Sequence, residues 1–151
     1  MAVFALVHGG AGTAALWDGV ADDLSRLGHE AIAMDLPADD PEAGWEDYAR
    51  AVESAVEDRK PGGEVIVVSH SLGGFVAPLV CGRVAVEKIV LVSAMIPAPG
   101  ESFEQWWHNT GHAREVDPDW SDPETFYNGV PQELAESHNP SHNQRLKTNP
   151  T

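Results

Sequence analysis

Residues 65–80 read VIVVSHSLGGFVAPLV. The run begins with consecutive aliphatic residues, the pattern of a parallel strand covered on both faces rather than of one with a wet side. It continues through Ser69-His70-Ser71-Leu72-Gly73 into a second apolar segment, in which Phe75, Val76, Leu79 and Val80 recur at helical spacing. A serine between small residues at such a strand-to-helix junction fits a nucleophile elbow, ordinarily written Gly-x-Ser-x-Gly. The flanking residues must be small because the turn presses strand against helix and strains the backbone of the central residue. Ser69 adds only a hydroxymethyl group to the first glycine position, Gly73 fills the second, and Gly74 follows. Ser71 is then a candidate nucleophile at a helix N-terminus, where N–H groups favour developing negative charge. The same position also suits a plain helix cap, a common role for serine.

Working outward, three further apolar runs have strand character: AVFALV (2–7), EAIAM (30–34) and KIVLV (88–92). Helical patterns lie between them. Trp17, Val20, Ala21, Leu24 and Leu27 precede a stop at Gly28, and Tyr48, Val52, Ala55 and Val56 precede Pro61-Gly62-Gly63. Pro78 sits within the third helical pattern and is expected to bend or shorten it. The order β-α-β-α-β-α-β with right-handed crossovers predicts an α/β fold: an open parallel sheet with helices on both faces. Pro97, Pro99 and Gly100 interrupt the pattern, and 101–137 holds three of the five tryptophans but no strand-like run. The expected organisation is therefore a core over 1–96, a helical cap over 97–137 and an irregular tail over 138–151.

The loop after the first strand reads His8-Gly9-Gly10. Acyl-transfer chemistry on this architecture needs two N–H groups aimed at one developing oxyanion, one from the residue after the nucleophile and one from an earlier strand's loop. Leu72 and Gly10 are the candidates. His8 reads as a structural histidine hydrogen-bonded within that loop. The same loop also carries a competing pattern, Gly10-Ala11-Gly12-Thr13-Ala14-Ala15, which fits a dinucleotide fingerprint, with Asp35 placed where a ribose-binding acid would stand. That alternative leaves the serine turn unexplained; Asp35 otherwise closes the second strand.

The net charge of −15 disfavours nucleic acid and anionic membrane surfaces as partners. The single cysteine, Cys81, excludes a disulfide framework and reads as a small core residue. A strand starting almost at Met1 leaves no room for a signal peptide, no apolar run approaches membrane-spanning length, and Pro follows Asn in both potential glycosylation triplets. These features predict a cytoplasmic protein with no cofactor and no metal.

Together, VHGGAGTAALW, HEAIAMDLP, VIVVSHSLGGFVAPLV and KIVLVSAMIPAPGESFEQWW resemble the α/β-hydrolase superfamily, close to small hydrolases related to methyl-ester esterases and hydroxynitrile lyases. The resemblance covers roughly residues 2–135. It implies Ser71 as nucleophile toward a small carboxylic ester, Leu72 and Gly10 as oxyanion donors, and a cap beginning at 97, with Phe126 and Tyr127 packing inward. In that family an acid and then a histidine follow on later strands. This chain shows no apolar strand after residue 92, so the resemblance implies a truncated fold lacking the usual Asp and His. Glu101 is a stand-in candidate for the acid, and His108, His112, His138 and His142 lie downstream as surface histidines. A fold cut there leaves the last strand uncovered, which predicts self-association through an exposed sheet edge. A non-catalytic, ligand-binding remnant of the fold is the alternative.

Overall fold

The computed structural model describes residues 1–10, 12–38, 40–59 and 62–111. The expected tail, the distal cap with Phe126 and Tyr127, and His112, His138 and His142 lie outside the described residues. The elements run β1 (Ala2–Val7), a 3-10 turn (Ala14–Trp17), α1 (Asp18–Arg26), β2 (Glu30–Ala33), α2 (Trp45–Arg59), β3 (Glu64–His70), α3 (Gly73–Cys81), β4 (Val86–Val92) and α4 (Phe103–Asn109). All strand pairs are parallel, in the order β2-β1-β3-β4. This is the open α/β sheet that the apolar runs predict.

Strand alternation sorts the core into two layers. Val3, Ala5, Val7, Val65 and Val67 face α2 and α3, burying with Tyr48, Val52, Val76 and Val80. Leu6 and Val68 face the other way and bury with Trp17, flanked by Phe4, Ile66 and Leu24. Strands apolar on both faces therefore sit in the middle of the sheet, as continuous aliphatic runs require. β4 has the same composition without the same cover: Ile89, Val90, Leu91 and Val92 are between 39% and 45% exposed. An aliphatic edge of this kind carries unpaired backbone groups and apolar side chains together.

The α1 helix ends where the sequence places its stop, with Gly28 at φ +81°, a conformation that only glycine adopts without cost. Pro78 does not break α3, which runs as one helix from Gly73 to Cys81. Its missing N–H removes only the one bond that would reach back to Gly74 O. Cys81 corrects the expectation of a core residue, because it is exposed. It shares one helix face with exposed Pro78 and Gly82, the side turned away from the sheet. Partial burial holds its thiol above the usual value, the opposite of an activated thiolate.

The α4 helix is anchored by rings. Trp45 at the start of α2 stacks on Phe75 of α3 with centroids 4.8 Å apart, and Phe75 in turn meets Phe103 and Trp106 of α4. The Trp106 indole donates to Ile96 O at 3.1 Å, and Ser102 and Gln105 form a capping box at the helix start. No described helix is long and apolar enough to cross a membrane.

Candidate active site

Ser71 sits at the carboxyl end of β3, directly before α3, with φ +52°. Few non-glycine residues hold this left-handed geometry, which costs roughly 1–2 kcal/mol and persists only where neighbouring bonds impose it. Here they do. Ser71 N–H donates to Val92 O at 3.3 Å, and Ser71 O accepts from Gly74 N–H at 3.0 Å and Met95 N–H at 2.9 Å. Ser71 is thus wired to its own helix and to the strand beside it.

The first loop closes on the serine from the other side. β1 and β3 pair up to Val7 and Ser69, so the chains leave the sheet together. A Cβ built on Gly9 would lie 3.0 Å from Ser71 Cβ and 3.4 Å from Ser71 Oγ. Glycine is therefore what lets the loop reach the hydroxyl. Gly9 makes this contact, and the paired glycines after the strand are the sequence signal for it. β1 and β3 also flank the point where the strand order reverses, the crevice where open α/β sheets bind ligands.

His8 holds the loop in place. It is buried, its Nε2 accepts from Leu36 N–H at 3.1 Å, and its Nδ1 lies 2.6 Å from Gly9 O. Acceptance at Nε2 fixes the proton on Nδ1, which donates to Gly9 O. Gly12 N–H donates to the same oxygen at 3.0 Å. His8 is a structural staple, as the sequence suggests, with both ring nitrogens committed.

The glycines after Ser71 are packed as tightly as the elbow demands. A Cβ on Gly73 would meet Val7 Cγ1 at 3.1 Å and the carbonyls of Val7 and His8 at 3.2 Å. One on Gly74 would stand 1.9 Å from Met95 O. Leu72, between serine and glycines, is buried and starts the helix. Ser69, in the first glycine position, is fully buried, and its Oγ has no partner among the described residues.

His29 accepts from Ala2 N–H at 3.2 Å, at the opposite end of the strands. Glu101, the candidate acid, is taken up by its own loop: it accepts from Ala98 N–H at 2.8 Å and from the Asn109 amide at 2.7 Å. His108 is exposed on α4. Asp35, the candidate ribose acid, accepts from Ala14 N–H at 2.8 Å, so its carboxylate ties the first helical turn to the end of β2. His70 points to the α1 side of the sheet, edge-on to Trp17 with centroids 6.4 Å apart. Its Nδ1 is buried without a partner among the described residues, 3.3 Å from the position of a Gly9 Cβ. Desolvation pushes the imidazole below its usual pKa. Among the described residues no cluster of His, Cys, Asp or Glu could hold a metal ion.

Comparison with known proteins bears on this arrangement. The rice (Oryza sativa) protein "Probable esterase PIR7A" is 36% identical over 107 residues, 65% of this chain and 41% of its own length. Polyneuridine aldehyde esterase from Rauvolfia serpentina is 32% identical over 110 residues, 66% of this chain and 41% of the relative. The chain thus spans about two fifths of the length of these curated relatives. The crystal structure of polyneuridine aldehyde esterase superposes with a TM-score of 0.70 at 21% identity, covering 92% of this chain and 68% of that one. A family profile described as "Alpha/beta hydrolase family" matches residues 4–150. An open parallel sheet, a left-handed serine after its third strand and a matching profile over nearly the whole length together place this chain in the alpha/beta hydrolase family.

Proposed function

We propose that Ser71 is the nucleophile of an acyl-transfer reaction on a small carboxylic ester, with the N–H groups of Leu72 and Gly10 binding the oxyanion. The observation that carries this reading is the serine's left-handed backbone at the end of β3, with its hydroxyl against the glycine loop. A plain helix cap would not need that conformation, since N-caps hold extended φ/ψ, and α3 shows no side-chain cap bond. The inward bonds of the first turn begin at Gly74 and Phe75, beyond the Leu72 N–H. In the reaction, Oγ attacks the ester carbonyl carbon, the carbonyl oxygen takes the negative charge between the two amides, and collapse expels the alkoxide, which departs as the alcohol with the proton lost from Oγ, to leave an acyl-serine that water hydrolyses to the acid and free serine. The names of the curated relatives, esterases, favour ester over amide substrates. The expected setting is the cytoplasm.

A second reading, a ligand-binding site without turnover, draws on the commitments of His8 and Glu101, which leave neither free to serve as base or orienting acid. A serine without a base is a weak nucleophile, and sites stripped of triad members keep only roughly 10³–10⁴-fold catalysis over water. Labelling with a fluorophosphonate probe separates the two readings. Stoichiometric modification of Ser71, lost in Ser71→Ala, supports acyl transfer. An unlabelled protein that still binds a small ester in titration calorimetry supports the second reading.

A further inference from the structure

Among the described residues two non-glycine positions have left-handed backbones, Ser71 at φ +52° and Ser93 at φ +45°. They lie side by side at the carboxyl ends of paired strands, since the β3–β4 ladder closes at His70 and Val92. In a regular parallel ladder a residue donates to the residue before its partner and accepts from the residue after it. Continued by one step, that rule gives Ser71 bonds to Val92 O and to Ala94 N–H. The first is present; the second is replaced by Met95 N–H, at 2.9 Å. The chain leaving β4 therefore carries one extra residue opposite Ser71, a bulge-like step across Ser93 and Ala94. Bulges of this kind re-aim a neighbouring residue and are over-represented beside active sites.

We propose that Ser93 is a positioning residue for Ser71. Its left-handed bend brings Val92 O and Met95 N–H onto the two sides of one residue and so fixes the orientation of the serine hydroxyl. The proposal rests on the reading of Ser71 as nucleophile. A second contact supports it: Met95 O lies 1.9 Å from where a Gly74 Cβ would be, so the bulged segment also seats against the first turn of α3. The relevant property of Ser93 is its backbone, with the hydroxyl incidental.

The test is a substitution series at Ser93, read as the rate of fluorophosphonate labelling of Ser71 per folded molecule, well below the melting temperature. Glycine and asparagine tolerate the left-handed region; alanine tolerates it less, and β-branched threonine and valine least. Ser93→Gly and Ser93→Asn are expected to label at least as fast as the parent, and Ser93→Thr and Ser93→Val more slowly, by roughly tenfold, the equivalent of 1.4 kcal/mol in the barrier. A purely structural role would lower the melting temperature and leave the rate per folded molecule unchanged. Equal rates across the series, with the parent labelled, overturn the proposal and leave the nucleophile standing. Slow labelling in Ser93→Gly together with normal labelling in Ser93→Thr also overturns it, because the hydroxyl would then be the active feature. A parent that is not labelled at Ser71 overturns the nucleophile reading and the proposal with it. Should Ser93→Val fail to fold, the glycine, asparagine, alanine and threonine variants keep the comparison complete.

Discussion

Gly74→Ala tests the wiring of the elbow at its tightest point. In an ordinary helix this change stabilises by about 1 kcal/mol, because alanine has the higher helix propensity. At Gly74 the new methyl would stand 1.9 Å from Met95 O, a backbone atom that no side-chain rotation can move. Relief requires the segment after β4 to retreat by about 1 Å or more, an overpacking cost of about 1–3 kcal/mol. The retreat also draws Met95 N–H away from Ser71 O, now 2.9 Å apart, a loss of about 1 kcal/mol. Against the propensity gain, the net expectation is destabilisation of about 2 kcal/mol. Gly19→Ala in α1 is the matched control, since a Cβ there meets nothing within 4 Å. It should stabilise by up to about 1 kcal/mol, the propensity gain without the clash. Urea unfolding followed by circular dichroism measures both. A Gly74→Ala protein as stable as the parent, or more so, would refute the packing of β4's exit segment against the first turn of α3.

Three further outcomes are expected. Ser71→Gly should raise the urea midpoint, by about 0.5–1 kcal/mol of stability, because it releases the left-handed strain while removing the hydroxyl; a lower midpoint would mean that Ser71 is not strained. His70 titrates below its usual value of 6.5 in the fold because burial penalises its charge. The unfolded chain therefore binds the proton first: the His70 contribution is fully present above pH 6.5, and it is lost as pH falls from there through the folded-state value. Urea titrations at pH 7.5 and 5.5 should show a smaller drop in His70→Gln than in the parent, and equal drops would remove His70 as the source. The aliphatic edge at Ile89–Val92 should drive concentration-dependent association on size-exclusion chromatography, reduced by Val90→Lys. A monomeric parent over the full concentration range would remove the edge as an adhesive surface.

The fold was legible because its middle strands are apolar on both faces: AVFALV and EVIVV could be covered only by helices on two sides, and the elements between them had helical spacing. The serine turn was legible for a related reason, since small residues after a buried strand have few structural uses. What escaped the sequence was geometry set by neighbours in space. Cys81 looked like core because it sits among Val80, Leu79 and Val76, yet its helix face is turned away from the sheet. The contact between Gly9 and Ser71 joins residues far apart in the chain, and no local pattern encodes it. The bulge at Ser93 depends on the ladder register, which no local propensity encodes. Glu101 looked free to orient a base until its carboxylate was found capping its own loop.

The central claim is that the Ser71 hydroxyl attacks an ester carbonyl. It is tested most directly by mixing the protein with a short-chain nitrophenyl ester, quenching in acid and mapping the acyl group by peptide mass spectrometry. An acyl adduct on Ser71 that is absent from Ser71→Ala is the predicted result. No adduct on Ser71, or acylation confined to other residues at the same rate in Ser71→Ala, would contradict it.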